Sequence, residues 1–265
     1  MPVVVTGASG PLGRALIPRL FDAGSEVRAV VRRQADADPL RQLGAKVAVG
    51  DPGNPELLAA VLRDAHTLCL LVDRLMLDEE EYSPVIADTA QATVQAAGEA
   101  GLARVLLPAY PGADPRSPNP YLRALGMAEE AVRDSGLQHV ILRSTLVVGP
   151  EMRWLQALGR GGNRMAPVFV EDVAAVLAAA DDRAQSVSGT FGLQGPDTVT
   201  ADELLQLLGR EGRRGLRRRR IRISRAAAEI LASDSLADAP DAAAEFGVEL
   251  TPLHQALQAS GFIPT

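Results

Sequence analysis

The sequence predicts an α/β protein built as a doubly wound parallel sheet, and three observations carry that prediction. Short β-branched runs alternate with longer segments whose apolar residues recur at helical spacing through the first 150 residues. The strand-like runs are almost continuously apolar rather than alternating, as expected when helices cover both faces of a sheet. A glycine-rich turn follows the first run directly and opens the first helical segment, the kind of junction at which such sheets bind ligands.

Taken in order, strands are expected at 2–6 (PVVVT), 26–31 (EVRAVV), 46–49 (KVAV), 67–72 (TLCLLV), 104–108 (RVLLP) and 139–143 (HVILR). Helices are expected between them at 11–23, 55–64, 83–100 and 121–135. Their ends are punctuated accordingly. Gly24, Gly101 and Gly136 follow helical runs where a left-handed residue is needed, and Ser83-Pro84 reads as an N-cap followed by proline at the first helical position. Beyond Pro150 the pattern loosens into a helix near 153–158, a strand at 166–170 and a helix at 171–180. A strand at 190–193, a helix at 200–208, the basic segment 217–224 and short helices follow.

Composition bounds the rest. The chain has 265 residues, 47% of them hydrophobic and 23% charged, enough apolar material for a sizeable core and too much for disorder. A single cysteine, Cys69, rules out a disulfide scaffold. No stretch approaches the ~18 to 20 apolar residues of a membrane span, and no secretion leader is visible, so a cytoplasmic protein is expected. The formal net charge of −6 argues against a nucleic-acid partner. Lys46 is the sole lysine, so 26 of the 27 basic residues are arginine.

The motif Thr6-Gly7-Ala8-Ser9-Gly10-Pro11-Leu12-Gly13 stands directly after a strand and before a helix. Glycines permit the tight turn and the close approach of a pyrophosphate, whose charge meets the helix's opening amides and dipole. The spacing is G-x-x-G-x-x-G rather than G-x-G-x-x-G. A carboxylate ending the second strand would select NAD; this chain puts Arg32 and Arg33 there, two guanidiniums suited to a 2′-phosphate, so NADP(H) is the expected cofactor.

At this point the sequence resembles the atypical and extended short-chain dehydrogenase/reductases, most closely the NmrA-like group. The likeness runs through TGASGPLG, the arginines of AVVRR, VGDPGNPELLAAVLRDA, SGLQHVILRSTLVVGP and FVEDVAAVLAAA. It implies a Rossmann-type dinucleotide-binding domain over 1–150 and a small C-terminal substrate-binding region over 151–265, packed beside it and not independent. It also implies that Asp51 approaches the adenine edge and that Leu71 and Val72 border the nicotinamide ribose.

The same resemblance exposes a gap. Most reductases of this family protonate the new alkoxide with a tyrosine tuned by a lysine one turn later, helped by a serine. Counting back from Glu129 in AEEAVRDSGLQHVILR puts the tyrosine at Tyr121, the lysine position at Leu125 and the serine position at Ala109. Two of the three groups are therefore of the wrong type. Arg123 could lend charge to a nearby phenol but could not relay a proton. Tyr110, Tyr121 and Ser144 are the remaining candidates for the catalytic set, with Thr145 beside Ser144.

Three readings follow. The first is an NADPH-dependent ketoreductase relying on positioning, its proton drawn from water, a tyrosine or a substrate such as an aromatic polyketide of antibiotic biosynthesis. The second is an NADP-sensing regulatory protein without turnover, and the third a cofactor-dependent epimerase. An enzyme needs a hollow above the nicotinamide, for which Met152, Trp154, Leu155, Met165 and Phe169 are candidates; the alternative for each is ordinary core packing. The run 210–220, continued by Ile221-Arg222-Ile223, reads as a turn and edge strand with both isoleucines inward. Asp78 to Glu81 read as solvated acids near a helix start. No metal site is expected from His66, His139 and His254, and no G-x-S-x-G elbow occurs. A small-molecule ketone is the expected partner, and a monomer or a homodimer is compatible with the sequence.

Overall fold

A computed structural model of the chain describes residues 2–72, 74–182, 187–209 and 221–264. Its spine is a seven-stranded parallel sheet. The first half supplies β1 (Pro2–Thr6), β2 (Glu26–Val31), β3 (Lys46–Val49), β4 (Thr67–Leu70), β5 (Arg104–Ala109) and β6 (Gln138–Ser144). Three short strands follow, β7 (Val147–Val148), β8 (Arg164–Met165) and β9 (Val168–Phe169), and then β10 (Gly189–Leu193). The spatial order is β10-β6-β5-β4-β1-β2-β3. The chain winds outward from β1 to β3, crosses back to β4 and winds the other way. A crevice therefore opens at the carboxyl ends of β1 and β4, where the winding reverses.

Both faces of the sheet are buried, which is why its strands read as unbroken apolar runs. Val3 and Val5 face α1 (Pro11–Asp22) and α7 (Val170–Ala180), packing with Leu16, Ile17, Leu20, Val173 and Leu177. Val4, Leu68 and Leu70 face the opposite layer of α3 (Pro55–Leu62), α4 (Thr89–Glu99) and α5 (Pro120–Asp134). Gly24, Gly101 and Gly136 all take the positive φ expected after a helix.

Several expectations need correction. The fourth strand stops at Leu70, because the chain turns away there to form one wall of the crevice. The strand expected over 166–170 is only β9, since Val170 already starts α7. A short helix, α2 (Ala37–Gln42), was not anticipated. Ser83 is not an N-cap: the turn begins at Asp78, whose capping box with Glu81 opens a 3₁₀ segment at Glu79–Glu81. A π-type segment, Ser83–Asp88, then leads into α4. The basic run 210–220 lies outside the described residues. Residues 221–224 form no strand; Ser224 caps the helix Arg225–Leu231, and Ile223 rests partly buried against the core.

Beyond residue 150 the chain continues into the same sheet and helix layers. β10 adds to the sheet beside β6 in parallel register, and α7 lies against α1. The remaining C-terminal segments are tied down by buried polar groups. Asp172 accepts hydrogen bonds from the Thr251 amide and hydroxyl, both at 2.8 Å. No helix among the described residues is long and apolar enough to cross a membrane.

Candidate active site

The crevice begins at the glycine turn. Gly7 takes φ +65°, and a Cβ there would stand 2.3 Å from the Leu71 carbonyl oxygen. Only glycine lets the end of β1 touch the chain leaving β4. The Gly10 amide donates to the Gly7 carbonyl at 3.0 Å and closes the turn. Gly10 then serves as N-cap of α1 without any side-chain cap, so the helix's opening amides have no side-chain acceptor. Thr6, 1% exposed just before the turn, has a hydroxyl oxygen with no hydrogen-bond partner among the described residues. An uncapped helix start, a turn that rejects side chains and an orphaned hydroxyl fit a phosphate-bearing cofactor.

Ser9, Gly10, Pro11, Leu12 and Gly13 line a cavity of about 410 Å³. The same cavity continues past Leu71 to Tyr110, Tyr121 and Ser144 and ends against Met152 and Trp154. Local structure explains why these groups meet. Asn119 accepts from the Tyr121 and Leu122 amides and so starts α5 with Tyr121 in its first turn. Gly126, in the middle of that helix, lets the Asp114-Pro115 backbone lie directly on it; a Cβ would come within 2.2 Å. That close approach brings the loop after β5 against α5 and sets the Tyr110 ring 5.9 Å from the Tyr121 ring.

Tyr82 completes the stack, 5.6 Å from Tyr121. Its hydroxyl donates to the Leu75 carbonyl at 2.8 Å and meets the Ser224 hydroxyl at 2.7 Å, pinning the cavity wall to the C-terminal helix Arg225–Leu231. Sequence reasoning missed Tyr82. The available signal was that the chain has only three tyrosines, and all three stack together.

The gap in the family's catalytic set is filled by core. Ala109 and Leu125 are both fully buried. Arg123 does not compensate, since it points outward and donates to the Ser117 carbonyl at 2.8 Å. Thr145 is held in place: its hydroxyl donates to the Ala166 carbonyl at 2.6 Å and its amide to the Leu193 carbonyl at 2.9 Å. Ser144 and Thr145 both line the cavity. Of the five residues expected to form the hollow, Met152 and Trp154 line it, whereas Leu155 and Met165 are packed into the core and Phe169 against it. Cys69 is buried within β4, and burial first, then the Asp181 charge, pushes its thiol well above the usual range. It is no nucleophile.

The remaining expected cofactor residues are placed as follows. Arg32 is exposed beyond β2. Arg33 is held by Asp36 through Nε at 2.9 Å and Nη2 at 2.8 Å, which raises the arginine's pKa and lowers that of the aspartate. Asp51 is exposed and uses its carboxylate to accept from the Gly53 amide at 2.9 Å. Leu71 lines the cavity, and Val72 is buried in the core behind it.

Two charged arrangements were not foreseen. Arg14, in the first turn of α1, donates to the Ser9 carbonyl and to Glu151 at 2.5 Å, bridging the glycine turn to the chain beyond β7; Glu151 holds a left-handed φ of +66° there. Behind the tyrosines, Glu129 of α5 is 1% exposed and accepts two bonds from Arg143 of β6, both at 2.8 Å. Arg143 also donates to Asp238 at 3.0 Å and to the Ala113 carbonyl at 2.9 Å, and its hydrogen bonds to Glu129 raise its pKa. Residues from α5, β6, the Tyr110 loop and the C-terminal region thus share one partly buried network.

Residues 7–183 match the sequence pattern described as NAD(P)H-binding. The chain belongs to this NAD(P)H-binding family. Membership accords with the cradle at Gly7–Gly13 and with the NmrA-like resemblance, and it establishes a nicotinamide cofactor. Among its relatives is a mitochondrial protein of Arabidopsis thaliana, NADH dehydrogenase [ubiquinone] 1 alpha subcomplex subunit 9. It is 30% identical over 227 residues, covering 77% of this chain and 56% of that protein. Ceramide reductase of Caulobacter vibrioides is 31% identical over 193 residues, 67% of this chain and 60% of that protein. The chain thus spans little more than half the length of these two relatives. Citrobacter sp. triphenylmethane reductase complexed with NADP(H) shares the fold, with a TM-score of 0.76 at 20% identity over 98% of this chain and 100% of that one.

Proposed function

We propose that this member of the family is an NADPH-dependent ketoreductase acting on an apolar small molecule. One observation carries the reading: the glycine cradle and the tyrosine-lined, largely apolar hollow are a single cavity. A protein that only senses a nucleotide needs the first half of that cavity and not the second. Its size lies within the range of ligand pockets. Relatives named as reductases, among them ceramide reductase and a furan methyl phosphate reductase of Streptomyces griseus, support the same reaction class.

A nicotinamide bound here supplies hydride. The opening amides of α1 would hold its phosphates, and Leu71 would border its ribose. Met152 and Trp154 seat the apolar body of the substrate and keep water from the reacting carbon; Trp154 is fixed for this by its indole bond to the Val147 carbonyl at 2.7 Å. Where the substrate supplies no proton of its own, Tyr110 or Tyr121 donates the single one the alkoxide takes, and Ser144 orients the alkoxide oxygen. Leu125 brings no charge to Tyr121, so positioning carries most of the rate. Ketones flanked by phenolic hydroxyls, as in aromatic polyketides, provide an internal proton and are the substrates best matched to such a site.

The test follows NADPH absorbance with polycyclic ketones and quinones. Consumption that falls in Tyr110→Phe or Tyr121→Phe supports the proposal. Tight cofactor binding with no consumption for any carbonyl favours the sensor. Solvent deuterium entering the substrate without net cofactor loss favours the epimerase.

A further inference from the structure

We infer that Arg74 is the second guanidinium of the subsite for the cofactor's adenosine 2′-phosphate, acting with Arg32 in the place that the sequence assigns to Arg33. The inference rests on the NADPH reading above and deepens it.

Arg32 and Arg33 are neighbours in sequence, and Arg33 has extended backbone at φ −125° and ψ 140°. Consecutive side chains on extended backbone point to opposite sides, so the two are poorly placed to converge on one phosphate. Arg33 is also engaged: both its Nε and Nη2 are bound by Asp36, and a phosphate would have to displace a two-point carboxylate contact. The sheet offers a different partner. Thr6 of β1 is in register with Val30 of β2 on one side and with Leu70 of β4 on the other. The chain leaving β2 at Arg32 and the chain leaving β4 toward Arg74 therefore flank the glycine turn from its two sides. Arg74 lines the cavity together with Gly7, Ser9 and Gly10.

Charge supports this placement. Among the described residues, neither Arg32 nor Arg74 has an ion-pair partner. Partial burial first, and then the like charge of Arg32, lower the Arg74 pKa, with Glu81 opposing. Two guanidiniums that repel each other, one at the cavity and one beyond β2, are relieved by an anion between them. A 2′-phosphate brings about −1.5 to −2 charges at neutral pH, enough to engage both. The pyrophosphate would not compete for this role, because the uncapped opening amides of α1 would meet it.

The experiment measures NADPH and NADH dissociation constants by calorimetry for the wild-type chain, Arg74→Gln, Arg32→Gln and Arg33→Gln. Arg74→Gln and Arg32→Gln are each expected to weaken NADPH about 10- to 100-fold, the range for losing a charge-assisted contact, while NADH changes less than about twofold. Arg33→Gln should move neither by more than about threefold. Arg74→Lys, which keeps the charge and loses the fork, should fall between. Equal weakening of NADPH and NADH by Arg74→Gln would place the residue at the pyrophosphate and overturn the inference, as would unchanged NADPH affinity. A wild-type chain that binds neither nucleotide would instead overturn the functional reading beneath it. Arg74 is exposed, so its variants should fold, and a melting curve checks that they do.

Discussion

Alanine at Gly7 and alanine at Gly10 should have opposite consequences, although the two glycines are three residues apart in one motif. At Gly7 the backbone is left-handed at φ +65°, which costs an L-residue about 1–2 kcal/mol. The new Cβ would also lie 2.3 Å from the Leu71 carbonyl oxygen. Ordinary contact would require β1 and the chain leaving β4 to part by roughly 1 Å, an overpacking cost of about 1–3 kcal/mol. The sum is about 2–5 kcal/mol. At Gly10 the backbone is already suited to any residue, φ −71° and ψ 166°, and the nearest atom to a new Cβ is the Gly7 carbonyl oxygen at 3.3 Å. Stability should fall there by about 1 kcal/mol or less, the difference between glycine and alanine as N-cap. The methyl nevertheless enters the surface on which phosphates rest, so NADPH affinity should drop at least about tenfold. Urea denaturation and calorimetric titration read the two effects separately. A Gly7→Ala chain within about 1 kcal/mol of wild type, or a Gly10→Ala chain that binds NADPH as tightly as wild type, would refute the reasoning.

Three further outcomes are expected. Leu125→Lys should not restore a proton relay: the position is fully buried, so a lysine there loses its charge or destabilises the fold, and NADPH consumption should not rise in the folded fraction. Glu129→Ala leaves the half-buried Arg143 with Asp238 and the Ala113 carbonyl as its remaining partners. In urea denaturation it should cost less than the ~3–5 kcal/mol of a fully buried pair, and Glu129→Leu combined with Arg143→Met should cost less than the single change. Acid should erode stability in a defined window. Glu26, Asp36, Asp114 and Glu203 all have depressed pKa values, caused mainly by hydrogen bonds from Lys46, Arg33, the Arg116 amide and the Thr200 amide respectively. Their contribution is complete above the unfolded carboxylate values near about 4 and is lost as pH falls through the lower folded values. Urea midpoints measured downward from about pH 5 should therefore decline, and Glu203→Gln should flatten part of that slope.

What could be read in advance, and what could not, divides along physical lines. Strand positions were legible because burial on both faces makes Val3, Val4 and Val5 all apolar, and no polar residue interrupts the pattern. The glycine turn was legible because its constraint is local: Gly7 must take a conformation that other residues avoid. Tyr110, Tyr121 and Ser144 could be nominated from their places at element ends, and the cavity brings them together. The Arg33–Asp36 pair escaped notice because it needs the 3₁₀ turn at Gln34–Asp36 to bring an i,i+3 carboxylate back onto the arginine. Arg74 escaped because it sits in irregular chain after β4, where periodicity carries no information. Glu129 and Arg143 are 14 residues apart, and only the packing of α5 on β6 joins them. Asp51 was nominated by resemblance alone; the bond its carboxylate accepts within its own turn depends on local geometry that no spacing reveals.

The interleaving of the two halves has a consequence for any shortened form of this protein. Severing the chain at Pro150 would remove β10, leaving β6 with a raw edge of unpaired amides and carbonyls, and would remove α7, uncovering Leu16, Ile17 and Leu20. An open edge beside a bare greasy surface is a recipe for strand-to-strand aggregation. The nucleotide-holding half is thus not a detachable module; its solubility is supplied by residues that come late in the polypeptide.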